Sequence, residues 1–366
     1  MSGLVAVVGG GYGGTLVAKA LDAEADVVLI DPRDAFVNVA GSLRALTRPD
    51  WAHNVFFPYK TLLERGRVVR GSAASVDAAG VTLAGGERVD ADCIVLATGS
   101  SYPYPARPRH AAASAEEALG DLRETHRQLS AAGRVLILGA GPVGLELAGE
   151  IHEAWPGKHV TVVGAAAELL RGFLPEVRGE LHRQLCERGI ELRLGTSLTA
   201  LPPVGDGAAG AFTVTTSAGD QITADIWFRC FGARPCTGYL TDGRLTALTA
   251  GGLVPVGEHL SVPGHEHAYA LGDIADLADA KMATHAQAQA LVVAENIRAQ
   301  LKGERPAAVY QPAPVPRILL PLGIRGGVGQ LPAPDGTAAQ APMETVIQRK
   351  GADLFTARFS ERFNRS

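Results

Sequence analysis

Apolar positions along this chain fall into two rhythms. Short unbroken runs, Leu4-Val5-Ala6-Val7-Val8, Val27-Val28-Leu29-Ile30, Val135-Leu136-Ile137-Leu138 and Val160-Thr161-Val162-Val163, are rich in β-branched side chains. Their length and composition predict strands buried on both faces of a parallel sheet. Elsewhere the apolar residues space out at helical intervals, over Thr15–Leu21 and in a long Ala- and Gln-rich stretch from Ala283. Two further segments form strand pairs around glycine turns, Val81-Thr82-Leu83 with Gly85-Gly86 and Thr213–Thr216 with Gly219-Asp220. Each predicts part of a three-stranded antiparallel insert. Strands alternating with helices in this way define an α/β fold.

What joins the strands to the helices carries the chemistry. The first run continues as Val8-Gly9-Gly10-Gly11-Tyr12-Gly13-Gly14, and the third as Leu138-Gly139-Ala140-Gly141-Pro142-Val143-Gly144. In this fingerprint the first glycine makes the tight turn, the second lets backbone approach a pyrophosphate, and the third lets helix pack on strand. The following helix aims free N–H groups at the phosphates. A single copy is a weak signal, because methyltransferases and ordinary glycine turns share it. Here there are two, and the segment Asp90–Gly99 is echoed by Thr223–Gly232. The repeat predicts two Rossmann-like units, hence two dinucleotides with electrons moving between them.

Carboxylates differ between the two units. Asp31 ends the second strand, where it is placed to bond ribose hydroxyls and to reject a 2′-phosphate; a cap before Pro32 is the alternative. The matching position of the second unit is Gly164, so that unit admits NADH or NADPH. Glu146 lies just beyond Gly144, where the first unit has Leu16. It either meets the incoming nicotinamide or the flavin edge, or is an acid favoured by a helix N-terminus.

Composition narrows the class. The chain has 366 residues, 46% of them hydrophobic, which suffices for two or three domains with proper cores. A net charge of −4 argues against a nucleic-acid surface. Cys93, Cys186, Cys230 and Cys236 are scattered, as in a reduced compartment, and no metal site is expected. No run approaches the ~18 apolar residues of a membrane span, and the first run is too short for a signal peptide. The expected location is the cytoplasm, with contact at the inner face of a membrane as an alternative. The Pro-rich stretch around Tyr102–Pro108 reads as a linker. The predicted division is 1–105 for the first unit, 106–235 for the second, 236–302 for a return to the first, and 303–366 for a small C-terminal α+β region.

Several motifs together carry a family resemblance: Asp34-Ala35-Phe36, Asn38-Val39-Ala40, Leu43-Arg44, Ala97-Thr98-Gly99, Gly144–Ala148, Tyr269–Asp273, Lys281-Met282-Ala283, Gly327–Gln330 and Asp353-Leu354-Phe355. Over nearly its whole length the chain resembles the FAD-dependent pyridine-nucleotide oxidoreductases built, like glutathione reductase, from two dinucleotide folds. Within them it resembles the ferroptosis-suppressor branch of apoptosis-inducing-factor homologues, relatives of the type II NADH dehydrogenases. The resemblance implies that Gly9, Gly11 and Gly14 hold the FAD pyrophosphate, Asp31 the adenosine ribose, and Arg44 a place near the phosphates or flavin. Thr98, Gly99, Asp273, Met282 and Ala283 would complete the FAD site, with Lys281 at the pyrimidine edge and a helix start favouring charge on reduced flavin. Gly139, Gly141, Gly144 and Gly232 would hold NADH or NADPH. Asp273 also reads as a capping residue and Lys281 as a loop lysine.

The implied activity is hydride transfer from NAD(P)H to FAD and electron transfer onward to a quinone. Asn38–Leu46 contains no cysteine, so no dithiol relay is expected. The alternatives are a reductase for a protein carrier of ferredoxin or rubredoxin type, and a flavin redox sensor without turnover. His285 either shuttles a proton to the reduced quinone or is structural. In the tail, Leu319, Leu320, Leu322, Phe355, Phe359 and Phe363, with Arg358, Arg362 and Arg365, form either a face for an anionic membrane or a helix packed on the flavin domain. Ser2 follows Met1, so no myristoylation signal is read, and any membrane contact is expected to be peripheral.

Overall fold

Leu4–Val8 forms strand β1 in the interior of the first sheet, and it is apolar throughout because neighbouring strands and helices cover both of its faces. The computed structural model describes residues 3–109 and 113–364. Met1, Ser2 and Arg365, which enter the readings of acylation and of the tail, lie outside these residues. From β1 the chain turns at Gly9 into helix α1 (Tyr12–Leu21) and β2 (Asp26–Asp31). A hairpin of β3 (Ala35–Val37) and β4 (Phe56–Pro58) brackets the short helix α2 (Ser42–Thr47). Then come β5 (Arg67–Arg70), an antiparallel insert of β6 (Ala73–Asp77), β7 (Gly80–Leu83) and β8 (Arg88–Asp90), and β9 (Cys93–Leu96), parallel to β1. This insert has the three strands expected.

β10 (Ser100–Ser101) leads to α3 (Ala115–Ala131), which opens with a reciprocal cap between Ser114 and Glu117. The second sheet follows: β11 (Arg134–Leu138), α4 (Pro142–Ala154), β12 (His159–Gly164), α5 (Pro175–Glu187), β13 (Glu191–Leu194) and, after β14 (Phe212–Thr215) and β15 (Gln221–Ala224), β16 (Ile226–Arg229). Its order is β13-β12-β11-β16, all parallel. Its insert departs from expectation, having two strands rather than three. Leu198 meets Thr216 in a single bridge, after which Pro202 and Pro203 supply no N–H groups and Gly205, Gly207 and Gly210 weaken any ladder.

β17 (Arg234–Pro235) pairs antiparallel with β10, so a two-stranded ribbon joins the sheets. The chain then returns through β18 (Ser261–Val262) and β19 (His265–Ala270), and β19 lies parallel beside β9. The completed first sheet runs β18-β19-β9-β1-β2-β5. Helix α6 (Ala283–Leu301) packs on α1. The tail adds an antiparallel sheet of β20 (Ile318–Pro321), β21 (Gly327–Pro332) and β22 (Ala338–Ala341), then α7 (Met343–Val346), a wide π-type turn Ile347–Gly351 and α8 (Thr356–Arg362).

The tail's apolar face is part of the core. Phe359 and Phe363 are fully buried, with ring centroids 4.9 and 5.4 Å from Phe36, and Phe57 and Tyr59 pack on Phe363. Burial of each phenyl ring stabilises by about 3 kcal/mol. Leu320 and Leu322 are likewise buried against the second unit's core. These four side chains therefore pack inside the molecule, as in the reading of a C-terminal helix packed on the first unit. Among the described residues no helix is long and apolar enough to cross a bilayer.

Candidate functional site

Both glycine turns have the geometry that their spacing implies. Gly9 has φ +102°, and a Cβ there would lie 2.5 Å from the Ala97 carbonyl oxygen. A Cβ on Gly14 would lie 1.9 Å from the Gly9 oxygen, so only glycine lets α1 sit so close to the turn. Gly11 differs, since a Cβ there meets nothing within 4 Å. The second turn repeats this point for point: Gly139 at φ +116°, Gly144 at 1.9 Å from the Gly139 oxygen, and open space before Gly141. Neither α1 nor α4 has a side-chain N-cap or an acid in its first turn. Two cradles of unsatisfied N–H groups thus face open space, and such a cradle fits a pyrophosphate.

Around the first cradle, Asp31 Oδ2 accepts from the Gly10 N–H at 2.7 Å and Oδ1 from the Arg33 N–H at 2.9 Å. Burial raises this carboxyl above its usual range. Tyr59, not singled out from the sequence, donates its hydroxyl to the Gly10 carbonyl at 2.8 Å and backs the loop. Thr98 Oγ1 donates to the Cys236 carbonyl at 2.7 Å, and the Gly99 carbonyl accepts from Cys236 N–H at 2.9 Å. This pair lies where the return segment crosses the sheet ends. Asp273 accepts from Ser100 Oγ at 2.5 Å. Lys281 donates to the Ala275 carbonyl at 2.6 Å, and burial lowers its pKa. Asp273, Lys281, Met282 and His285 line one narrow cleft. Above it starts α6, with Met282 as its first flanking residue, Ala283 as its first helical residue, and no side-chain cap. The positive end of a 19-residue helix therefore faces the cleft.

Around the second cradle, Glu146 is buried in α4, and Lys350 donates to its Oε1 at 2.6 Å. Burial raises the Glu146 carboxyl and the ammonium of Lys350 opposes that rise. Lys350 comes from the wide turn at the far end of the chain and also donates to the Leu319 carbonyl. Nothing in its sequence neighbourhood marks it. Gly232, at φ +90°, follows Phe231, whose ring lies 4.6 Å from the Arg229 guanidinium. Asp206 Oδ1 accepts from the Arg229 N–H, and burial pushes its carboxyl to about 6.

Arg44, expected near the phosphates or flavin, is 1% exposed and commits its guanidinium to Glu150, at 2.8 and 3.0 Å, and to the Ala352 carbonyl at 3.1 Å. Its neighbour Arg48 bonds Glu153. Glu146, Glu150 and Glu153 share one face of α4, so this ionic seam ties the second unit to α2 and to the tail. The four cysteines are free thiols, and burial raises the pKa of Cys93, Cys230 and Cys236, as suits inert apolar side chains. Among the described residues no cluster of metal-ligating side chains occurs.

Two sheets, parallel except for the antiparallel edge strand β18 of the first, each opening an uncapped helix at a glycine turn, define a two-dinucleotide Rossmann-type oxidoreductase. Residues 4–290 match the family model of pyridine nucleotide-disulphide oxidoreductases. The chain belongs to that family, whose members bind FAD and NAD(P)H. It is 31% identical over 361 residues to ferroptosis suppressor protein 1 of Taeniopygia guttata, covering 97% of this chain and 94% of that one. Apoptosis-inducing factor homolog B of Dictyostelium discoideum is 26% identical, with 89% of each chain covered. Among solved structures, the sulfide:quinone oxidoreductase of Aquifex aeolicus is similar in fold, with TM-score 0.78 at 17% identity over 99% of this chain and 91% of that one.

Proposed function

We propose that this protein oxidises NADH or NADPH through bound FAD and reduces a quinone, with no redox-active disulfide. The observation that carries the reading is the pair of open cradles at Gly11 and Gly141, each heading a helix of its own sheet. In this reading residues 1–105 and 236–302 make the FAD domain, 106–235 the NAD(P)H domain and 303–366 the C-terminal domain. Gly9, Gly11, Gly14, Asp31, Thr98, Gly99, Asp273, Met282 and Ala283 hold FAD, while Gly139, Gly141, Gly144 and Gly232 hold the nicotinamide nucleotide. Bound FAD supplies acceptance of hydride and release of its two electrons to an acceptor.

The chain's own part is placement and charge. The N–H groups opening α1 and α4 bind phosphates, and the start of α6 with Lys281 favours negative charge in the cleft. Glu146, held by Lys350, orients the incoming nicotinamide. β12 ends at Gly164 without a carboxylate, which supports use of either nucleotide. The quinone as acceptor is supported by kinship: a fold neighbour is named for quinone reduction, and Asn38–Leu46 offers no cysteine to divert the electrons.

Anaerobic stopped-flow reduction of the yellow protein tests this. NADH or NADPH should bleach it, and ubiquinone-1 or menadione should recolour it within the turnover time. Fast reoxidation by a ferredoxin with slow reoxidation by quinones would replace the quinone with a protein carrier. Slow reoxidation by every acceptor would replace the enzyme with a sensor. Glu146→Ala should slow bleaching with flavin content intact; an unchanged rate removes Glu146 from the site.

A further inference from the structure

The loop before α6 buries a polar cluster that the reading above leaves without a role. Asp279, its side chain 4% exposed, accepts from the Tyr310 hydroxyl at 2.5 Å on Oδ2 and from the Ala313 N–H at 3.0 Å on Oδ1. Nδ1 of His285 stands 3.5 Å from Oδ1. His285 is equally buried, lies in the first turn of α6 and lines the cleft with Asp273, Lys281 and Met282. With Nδ1 turned to a carboxylate, Nε2 is the ring nitrogen left for the cleft. Tyr310 belongs to the extended tail and is only partly buried. The three side chains therefore lead from the surface to the cleft, through groups that each carry or accept a proton.

We propose that Tyr310, Asp279 and His285 form a proton inlet to this cleft: His285 gains a proton from solvent as negative charge gathers on a group bound there, and yields it to an acceptor that takes up protons with its electrons. The proposal rests on the placement of FAD at Lys281-Met282-Ala283 given above. The balance closes. Hydride from NAD(P)H brings two electrons and one proton, whereas a quinone needs two of each to become a quinol. The second proton comes from water by way of His285, so NAD(P)H, quinone and one proton give NAD(P)⁺ and quinol.

The surrounding charges suit a group poised to change state. Burial and Arg317 hold the imidazole below its usual pKa, Asp279 opposes them, and Lys281, Asp273 and Asp276 flank the loop. Arg362 reaches the same helix at Gln287. The imidazole is thus biased toward its neutral form, and added negative charge in the cleft moves it toward the cation.

The slope of the FAD midpoint potential against pH, from about pH 5.5 to about 8, counts protons bound per electron pair. The wild-type slope should report up to one proton more than H285Q, and D279N should lose the same proton because the imidazolium loses its counter-charge. Y310F should keep the equilibrium count yet slow proton uptake about tenfold, followed with a pH dye after rapid reduction. In the oxidised protein, ¹⁵N signals of the histidine side chains should show the His285 midpoint falling in D279N. Equal slopes in wild type, H285Q and D279N at intact FAD content would overturn the inlet while leaving the quinone reading standing. An unmoved His285 midpoint in D279N would overturn the coupling of Asp279 to His285. Absence of nicotinamide bleaching would instead overturn the proposed function, and the ¹⁵N titration would still decide the coupling.

Discussion

Lys350→Met is the most informative perturbation of the ionic seam. It removes the ammonium bonded to Glu146 at 2.6 Å, leaving a carboxyl that is buried in α4 and already held above the usual 4.5 by desolvation. Without that ammonium the folded-state value rises further, while the unfolded chain keeps the ordinary one. Each pH unit between the two costs about 1.4 kcal/mol. Breaking a buried pair by removing one partner usually costs about 3–5 kcal/mol in all. The sign follows from the raised folded value: stability is unaffected below about pH 4.5, falls as pH rises toward the folded-state value, and levels off above it. Urea unfolding of the FAD-loaded variant at about pH 5 and about pH 7 reads this directly. The double variant E146Q/K350M, lacking both charges, should return to within about 1 kcal/mol of wild type. A K350M protein as stable as wild type at neutral pH, or a loss independent of pH, would refute the reasoning.

Other outcomes follow from single sites. Gly144→Ala puts a Cβ against the Gly139 carbonyl oxygen, so the protein should remain yellow while nicotinamide bleaching slows about 100-fold or more, read by stopped flow. Phe359→Ala empties the aromatic cluster around Phe36 and should cost about 3–5 kcal/mol in chemical denaturation, with vesicle flotation unchanged. Replacing Cys230 and Cys236 together with alanine should leave NAD(P)H oxidation within about twofold of wild type, since neither carries electrons. Asp206, with a carboxyl near 6, contributes stability below its unfolded value that is lost as pH rises through about 6; D206N should flatten the denaturation midpoint across that window.

Local features were the legible ones. The runs that became β1, β2, β11 and β12 were plain because burial on both faces demands unbroken β-branched sequence, and Gly9 and Gly139 because a left-handed turn has few other solutions. Even here α1 begins earlier than its apolar spacing suggests, since close packing on the strand admits Gly13 and Gly14 into the helix. What escaped was set by contacts between distant segments. Lys350 reaches Glu146 across most of the chain, Arg44 is captured by Glu150, and Tyr310 finds Asp279 from the tail. The missing third strand of the second insert failed on backbone chemistry spread over Pro202 to Gly210, which a count of strand-like residues does not register.

The interleaved order of the first sheet governs how the molecule is made. β9 keeps an unpaired edge until β19 arrives, and between them the chain must deliver the whole β11–β16 sheet, whose strands find all their neighbours within their own stretch. On the ribosome the middle portion is therefore the first able to close, and the amino-terminal strands wait with an open edge while the rest of the polypeptide emerges. Translation released short of His265 leaves that edge bare, so truncated products are destined for aggregation or proteolysis rather than for partial function.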